Sequence, residues 1–156
     1  MNMLELSNVS KSFGSKQIVK DVSFAVPEGT VFGFVGQNGA GKTTTMKMIL
    51  GLLQMDSGEI LVNGKKVTYG QNETNRYIGY LPDVPEFYSF MTPKEYLLLC
   101  GEVCGMQKAD MNKRADELLE MVGLSAANKR IRGFSRGMKQ RLGIAQALLN
   151  SPKLLI

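Results

Sequence analysis

At 156 residues, with 44% hydrophobic and 21% charged side chains, the chain is long enough to bury a sizeable core, which excludes a disordered or fibrous protein. A net charge of +5 and a pI near 9.2 admit an anionic partner, but the lysines are scattered rather than gathered in a basic stripe, so no nucleic acid partner is expected. No stretch approaches the roughly 20 apolar residues of a membrane span, and Met1-Asn2-Met3-Leu4-Glu5 lacks a signal peptide's layout, so a cytoplasmic protein is expected.

Residues 3–9 and 18–26 are rich in Val, Leu, Ile and Phe between turn signals and read as strands. Val31-Phe32-Gly33-Phe34-Val35 is a short apolar run that reads as a third, buried strand. Directly behind it stands Gly36-Gln37-Asn38-Gly39-Ala40-Gly41-Lys42-Thr43, which fits G-x-x-x-x-G-K-[ST], the Walker A phosphate-binding loop. Met46, Ile49, Leu50 and Leu53 then follow at helical spacing. A chain of this composition would match the pattern by accident roughly 0.016 times. Strand, glycine loop and helix also stand in the order that the motif's mechanism requires, so a nucleoside triphosphate is the expected ligand.

The chemistry follows from the residue types. Gly36, Gly39 and Gly41 open backbone conformations closed to residues with a Cβ, so consecutive N–H groups can turn inward around phosphates. The helix N-terminus behind them adds unpaired donors and a dipole worth about 0.3 to 1 kcal/mol per anionic group at an exposed site. Lys42 would bridge the β and γ phosphates of ATP, the Thr43 hydroxyl would ligate Mg²⁺, and Thr44 would donate to the α phosphate. A glycine-rich turn that merely links strand to helix accounts for the glycines but not for a lysine aimed into the loop.

Further along, Asp56-Ser57-Gly58 closes the first helix and Glu59-Ile60-Leu61-Val62 resumes strand, with Asn63-Gly64 as a hairpin turn into Lys66-Val67-Thr68. A short strand at 78–81 precedes a change to helical character at Pro82. Thr92-Pro93-Lys94-Glu95 combines an N-cap, a proline at the first helical position and a capping-box glutamate, so a helix is expected from 93 to about 104, stopping at Gly105. Met111, Ala115, Leu118 and Val122 share a second helix face ending at Gly123, and Met138, Leu142, Ala145 and Leu149 share a third behind Ser135. Lys153-Leu154-Leu155-Ile156 opens another buried strand. Cys100 and Cys104, one helical turn apart in an apolar segment, read as small hydrophobes rather than a disulfide or metal pair. The absence of histidine removes the commonest metal ligand and general base.

About ninety-five residues after the loop stands Phe134-Ser135-Arg136-Gly137-Met138-Lys139-Gln140-Arg141. Alone it reads as a capped helix start with a basic solvated face. Joined to a Walker A loop at this separation, it resembles the signature of ATP-binding cassette (ABC) ATPases, usually Leu-Ser-Gly-Gly-Gln, in the variant that continues Met-Lys-Gln-Arg-Leu. Arg136 stands for the first glycine of that signature and Met138 for its glutamine, while Ser135 and Gly137 are kept. The likeness covers the whole chain and implies an α/β P-loop NTPase fold with N-terminal antiparallel strands, a partial parallel core sheet and an inserted helical subdomain. Residues 1–81 and 150–156 would supply the core and N-terminal strands, and 82–149 the helical subdomain with the signature.

The resemblance also implies roles. Phe13, which alone would read as a core aromatic, takes the place of the aromatic residue that stacks on adenine, an interaction worth about 1 to 3 kcal/mol. Ile78-Gly79-Tyr80-Leu81-Pro82-Asp83 resembles the segment ending in the Q-loop glutamine. Asp83 stands there instead, a carboxylate that can still bind Mg²⁺ or water. An acidic residue at this place and the run through Glu86-Phe87-Tyr88 resemble peptide-antibiotic exporter cassettes. Phe87, Tyr88, Phe90 and Met91 would form the permease groove, or simply pack the insertion. In such proteins two ATPase subunits pack head to tail, so that Ser135 and the Gly137 backbone of one close on the γ-phosphate held by the other. The implied partners are a second ABC ATPase subunit and an integral membrane permease, with the chain on the inner face of the cell membrane.

Pro152-Lys153-Leu154-Leu155-Ile156 resembles the opening of a Walker B strand, whose Asp and catalytic Glu would lie beyond Ile156. A general base contributes about 10² to 10⁴-fold in rate, so these residues alone would bind ATP far better than hydrolyse it. Two alternatives stand beside the exporter subunit: a soluble ABC ATPase acting on ribosomes or DNA, and a catalytically dead nucleotide-binding fragment. A small-molecule kinase shares the Walker A loop but has no place for the signature.

Overall fold

The two strands expected near the N-terminus extend into one long antiparallel hairpin, β1 (Asn2–Phe13) and β2 (Lys16–Pro27). The computed structural model describes residues 1–156. Leu4 pairs with Val62 and Leu6 with Ile60 on the other side of β1, where β3 (Ser57–Val62) runs antiparallel. Asn63 and Gly64 both have positive φ, 51° and 72°, and turn β3 tightly into β4 (Lys65–Lys66). The four-stranded sheet therefore has the order β2-β1-β3-β4. Met3, Leu4, Leu6, Val9, Val19, Ile60 and Val62 are buried in it, with Met48 and Ile49 of the helix α1 (Lys42–Ile49) also buried. This first compact unit spans Met1–Ile78.

Two expectations fail within it. The apolar run 31–35 is not a strand, and Val31 and Val35 are 104% and 90% exposed. Phe32 and Phe34 instead reach sideways to Phe24 of β2, with ring centroids 5.1 and 5.5 Å away. No strand of the structure hydrogen-bonds to this run, and a strand exists only with a neighbour. Helix α1 is also shorter than its apolar spacing suggests. Gly51, with φ at 70°, ends it in a Schellman turn, with Gly51 N–H donating to Met48 and Leu52 N–H to Lys47. Periodicity continued to Leu53 because that side chain is still half-buried beyond the helix.

The second unit, Gly79–Ile156, is built on helices α2 (Pro93–Val103), α3 (Lys108–Met121) and α4 (Arg136–Leu148). The capping box at α2 forms as its sequence indicates: Thr92 Oγ1 accepts from Glu95 N–H, and Thr92 N–H donates to the Glu95 carboxylate at 2.8 Å. Gly105 and Gly123 end α2 and α3 with the same paired bonds as Gly51. Leu97, Ala115, Leu118, Ile131, Leu142 and Ala145 are almost fully buried at the centre, with Phe134 and Leu149 closing the cluster. Strands β5 (Ile78–Gly79) and β6 (Leu154–Leu155) form a small parallel pair, in which Ile156 donates to Gly79 and accepts from Leu81. Gly79 has no room for a side chain, since a Cβ would stand 2.1 Å from the Ala147 carbonyl oxygen. The units divide at 78/79, where the motif-based boundary lies at 81/82, because this pairing joins 79–81 to 156.

Candidate functional site

The proposed site residues divide between the units: Phe13 and residues 36–44 in the first, Asp83, Ser135 and Gly137 in the second. Gly36 to Ala40 are exposed and lead into α1 through Gly41. Gly39 and Gly41 take φ of 82° and 92°, the left-handed backbone that glycine adopts without strain. At Gly41 a second reason applies, because a Cβ would meet the Ile18 carbonyl oxygen of β2 at 3.0 Å. The loop thus lies hard against the strand that follows the Phe13 hairpin.

Helix α1 starts on Gly41 with no side-chain cap and no acidic residue in its first turn. Its leading N–H groups and the positive end of its dipole consequently face outward unneutralised. Lys42 lies back along the loop and donates through Nζ to the carbonyls of Gly36 and, at 2.8 Å, Gln37. Ala40 N–H closes a turn on the Gln37 carbonyl at 3.1 Å. Thr43 is exposed, Thr44 half-buried, and Thr45 buried with its hydroxyl on the Gly41 carbonyl at 2.9 Å. One cation, the uncapped N–H groups of a helix start and an exposed hydroxyl can hold a polyphosphate and a hard divalent ion.

Phe13 ends β1 opposite Lys16 and is 51% exposed, so it is not a core aromatic. The Lys11 ammonium stands 5.5 Å from its ring centroid.

In the second unit Ser135 is the N-cap of α4, and its Oγ accepts from Met138 N–H at 3.2 Å. Ser135, Arg136 and Gly137 are exposed while Phe134 is buried beneath them, which anchors the turn to the core. Asp83 is exposed and lines a recess of about 390 Å³ together with Val84, Pro85, Arg136, Lys139 and Gln140. Asp83 and the first turns of α4 therefore share one surface, which their separation in sequence conceals.

Two further groups escaped sequence reading. Arg141 caps the C-terminal end of α3 through Nη1 to the carbonyls of Val122 and Gly123, at 3.1 and 3.3 Å. Asp56 accepts from Lys11 Nζ at 2.9 Å and from Ser12 N–H at 2.7 Å, and those two donors hold its carboxyl below the usual carboxylate range. Both are long-range side-chain bonds for which a local pattern carries no signal. The aromatic segment divides as well. Phe87 packs edge-on against Tyr96 at 5.1 Å and Met91 packs on the helical core, whereas Tyr88 and Phe90 are 56% and 60% exposed. Burial pushes the Tyr96 phenol well above its ordinary range and raises the Cys100 thiol beside it, in keeping with Cys100 as a small hydrophobe, whereas Cys104, expected to be buried as well, is exposed.

The chain spans about half the length of the curated relatives it matches. An uncharacterized ABC transporter ATP-binding protein of Bacillus subtilis (strain 168), YxlF, is 48% identical over 99% of this chain and 51% of its own. The bacitracin transport ATP-binding protein BcrA of Bacillus licheniformis is 43% identical over 99% of this chain and 50% of its own. Among solved structures, the ATP-binding subunit of an ABC transporter superposes with a TM-score of 0.87 at 33% identity, covering 98% of this chain and 64% of that one. The fold is accordingly the α/β P-loop fold of ABC ATPase domains. No helix is long and apolar enough to cross a membrane. The ABC transporter family model matches residues 19–156, and the chain belongs to that family.

Proposed function

We propose that the chain is the nucleotide-binding part of an ATP-binding subunit that binds Mg-ATP and drives export through a partner permease. The observation that carries this reading is the start of α1: an uncapped helix behind two left-handed glycines, with Lys42 lying along the loop carbonyls. Those carbonyls are weak partners, which the β and γ phosphates would displace, drawing Lys42 across the loop. Residues 36–44 would wrap the phosphates, Thr43 would hold Mg²⁺, and Phe13 would stack on the base. Ser135 and the Gly137 backbone would act on the γ-phosphate held by a second subunit, and Asp83 would be a ligand for Mg²⁺ or water. The core would comprise 1–81 and 150–156, and the helical subdomain 82–149.

Export is favoured by a relative named as a Nod factor export ATP-binding protein, 39% identical over 98% of this chain. The permease would meet Tyr88 and Phe90, which are exposed, rather than Phe87 and Met91, which pack inward. Met91 accepts from Ile131 N–H and Ser89 from Arg132 N–H, both at 2.9 Å, so the aromatic segment is bonded to the turn that leads into Ser135. Pressure on one would reach the other. The test replaces Tyr88 and Phe90 together by alanine in the full-length protein assembled with its permease. ATP hydrolysis should persist while transport per ATP falls; transport per ATP at the unsubstituted level would overturn the permease assignment.

A further inference from the structure

Asp56 sits between α1 and β3, far from Phe13 in sequence, yet it bonds to three successive residues just before that ring. Its N–H donates to the Ser10 carbonyl at 2.9 Å, one carboxylate oxygen takes the Lys11 ammonium at 2.9 Å, and the other takes Ser12 N–H at 2.7 Å. The β1–β2 ladder is irregular in this stretch, with register shifts between Val9 and Lys11 and again between Lys11 and Ser12. The ladder resumes at Ser12–Gln17 and Phe13–Lys16, and Asp56 adds a second hold on this irregular end of β1. The Lys11 side chain is 13% exposed, and its ammonium stands 5.5 Å from the Phe13 centroid. Asp56 thus holds both the backbone that precedes Phe13 and the cation beside its ring.

We propose that Asp56 is a positioning residue for recognition of the nucleotide base: through Ser12 and Lys11 it sets the end of β1 so that the half-exposed Phe13 ring is ready to stack. This rests on the reading that Phe13 stacks on the base. Asp56 touches no phosphate-loop residue through any hydrogen bond of the structure, so its effect should follow the base and not the phosphates. Removing the carboxylate frees Ser12 N–H and Lys11 together, and the ring then has to be ordered at the cost of binding free energy.

The experiment titrates the full-length protein and its F13A, D56A, D56N and F13A/D56A variants with Mg-ATP and, separately, with Mg-tripolyphosphate, which has no base. F13A should weaken ATP binding by roughly fivefold to a hundredfold and leave tripolyphosphate unchanged. D56A should weaken ATP binding by about threefold to tenfold, a part of the stacking energy, again with tripolyphosphate unchanged. D56N keeps an acceptor for Ser12 N–H and should fall between D56A and the unsubstituted protein. In the F13A background D56A should have no further effect. Equal losses for both ligands, or the same loss with and without Phe13, would show a merely structural role and overturn the positioning assignment. A silent D56A beside an effective F13A overturns positioning alone, whereas a silent F13A overturns the stacking reading and the inference with it.

Discussion

Helix α1 opens on a glycine and helix α4 on a serine, and the two starts are held in different ways. At α1 the shape comes from the backbone: Gly41 sits at φ 92° against the Ile18 carbonyl, with no side-chain cap. At α4 it comes from side chains: the Ser135 hydroxyl satisfies Met138 N–H, and Phe134 is buried below. An uncapped helix start leaves all its donors for a ligand, while a serine cap satisfies one of them and fixes the turn around the rest. The first suits a site that encloses phosphates, the second a face presented ready-made to another surface.

Gly41→Ala strikes this contrast hardest. A non-glycine residue in left-handed backbone costs on the order of 1–3 kcal/mol, and here the new methyl also meets the Ile18 carbonyl. Mg-ATP affinity of the full-length protein should fall at least about tenfold by titration. Gly39→Ala, strained but in open space, should cost less. Equal effects at the two positions would remove the close approach from the argument.

Ser135→Ala comes next. Loss of the cap should lower stability by about 1 kcal/mol, read by thermal or denaturant unfolding. On the proposed division of labour, ATP turnover should fall while Mg-ATP affinity stays the same. A drop in affinity as large as the drop in turnover would place Ser135 in the primary binding site.

The smallest effect is expected at Glu95, whose carboxyl the Thr92 N–H and hydroxyl hold below its ordinary value. The native state thus favours the carboxylate, so its stabilising contribution is present above the unfolded pKa and is lost as pH falls through the lowered folded value. Glu95→Gln should melt slightly lower than the unsubstituted protein at neutral pH, with the gap closing as pH falls below the ordinary carboxylate range. A gap independent of pH would mean that the capping box draws nothing from the charge.

Legibility in the sequence followed the same division. Thr92-Pro93-Lys94-Glu95, Asn63-Gly64, Gly105 and Gly123 carry their structure in local chemistry and were readable. The faces of α3 and α4 were readable because each buries a helical stripe in one core. The run 31–35 was misread because apolar content reports a preference for burial, and strand formation needs a partner that no local pattern contains. Lys11 with Asp56, and Asp83 with Arg136 and Lys139, come together only through the tertiary fold. Residues 36–43 match a motif in the sequence, but the resting place of Lys42 on the Gly36 and Gln37 carbonyls is not legible there.

The most direct test of the account is a Mg-ATP titration of the full-length protein against its Lys42→Ala variant, with circular dichroism confirming that both are folded. Removing the single cation that lies along the loop should weaken Mg-ATP at least about tenfold, given that hydrogen bonds to charged groups contribute about 1.5 to 3 kcal/mol. Equal affinity in the two folded proteins would contradict the assignment of residues 36–44 as the site that holds the triphosphate.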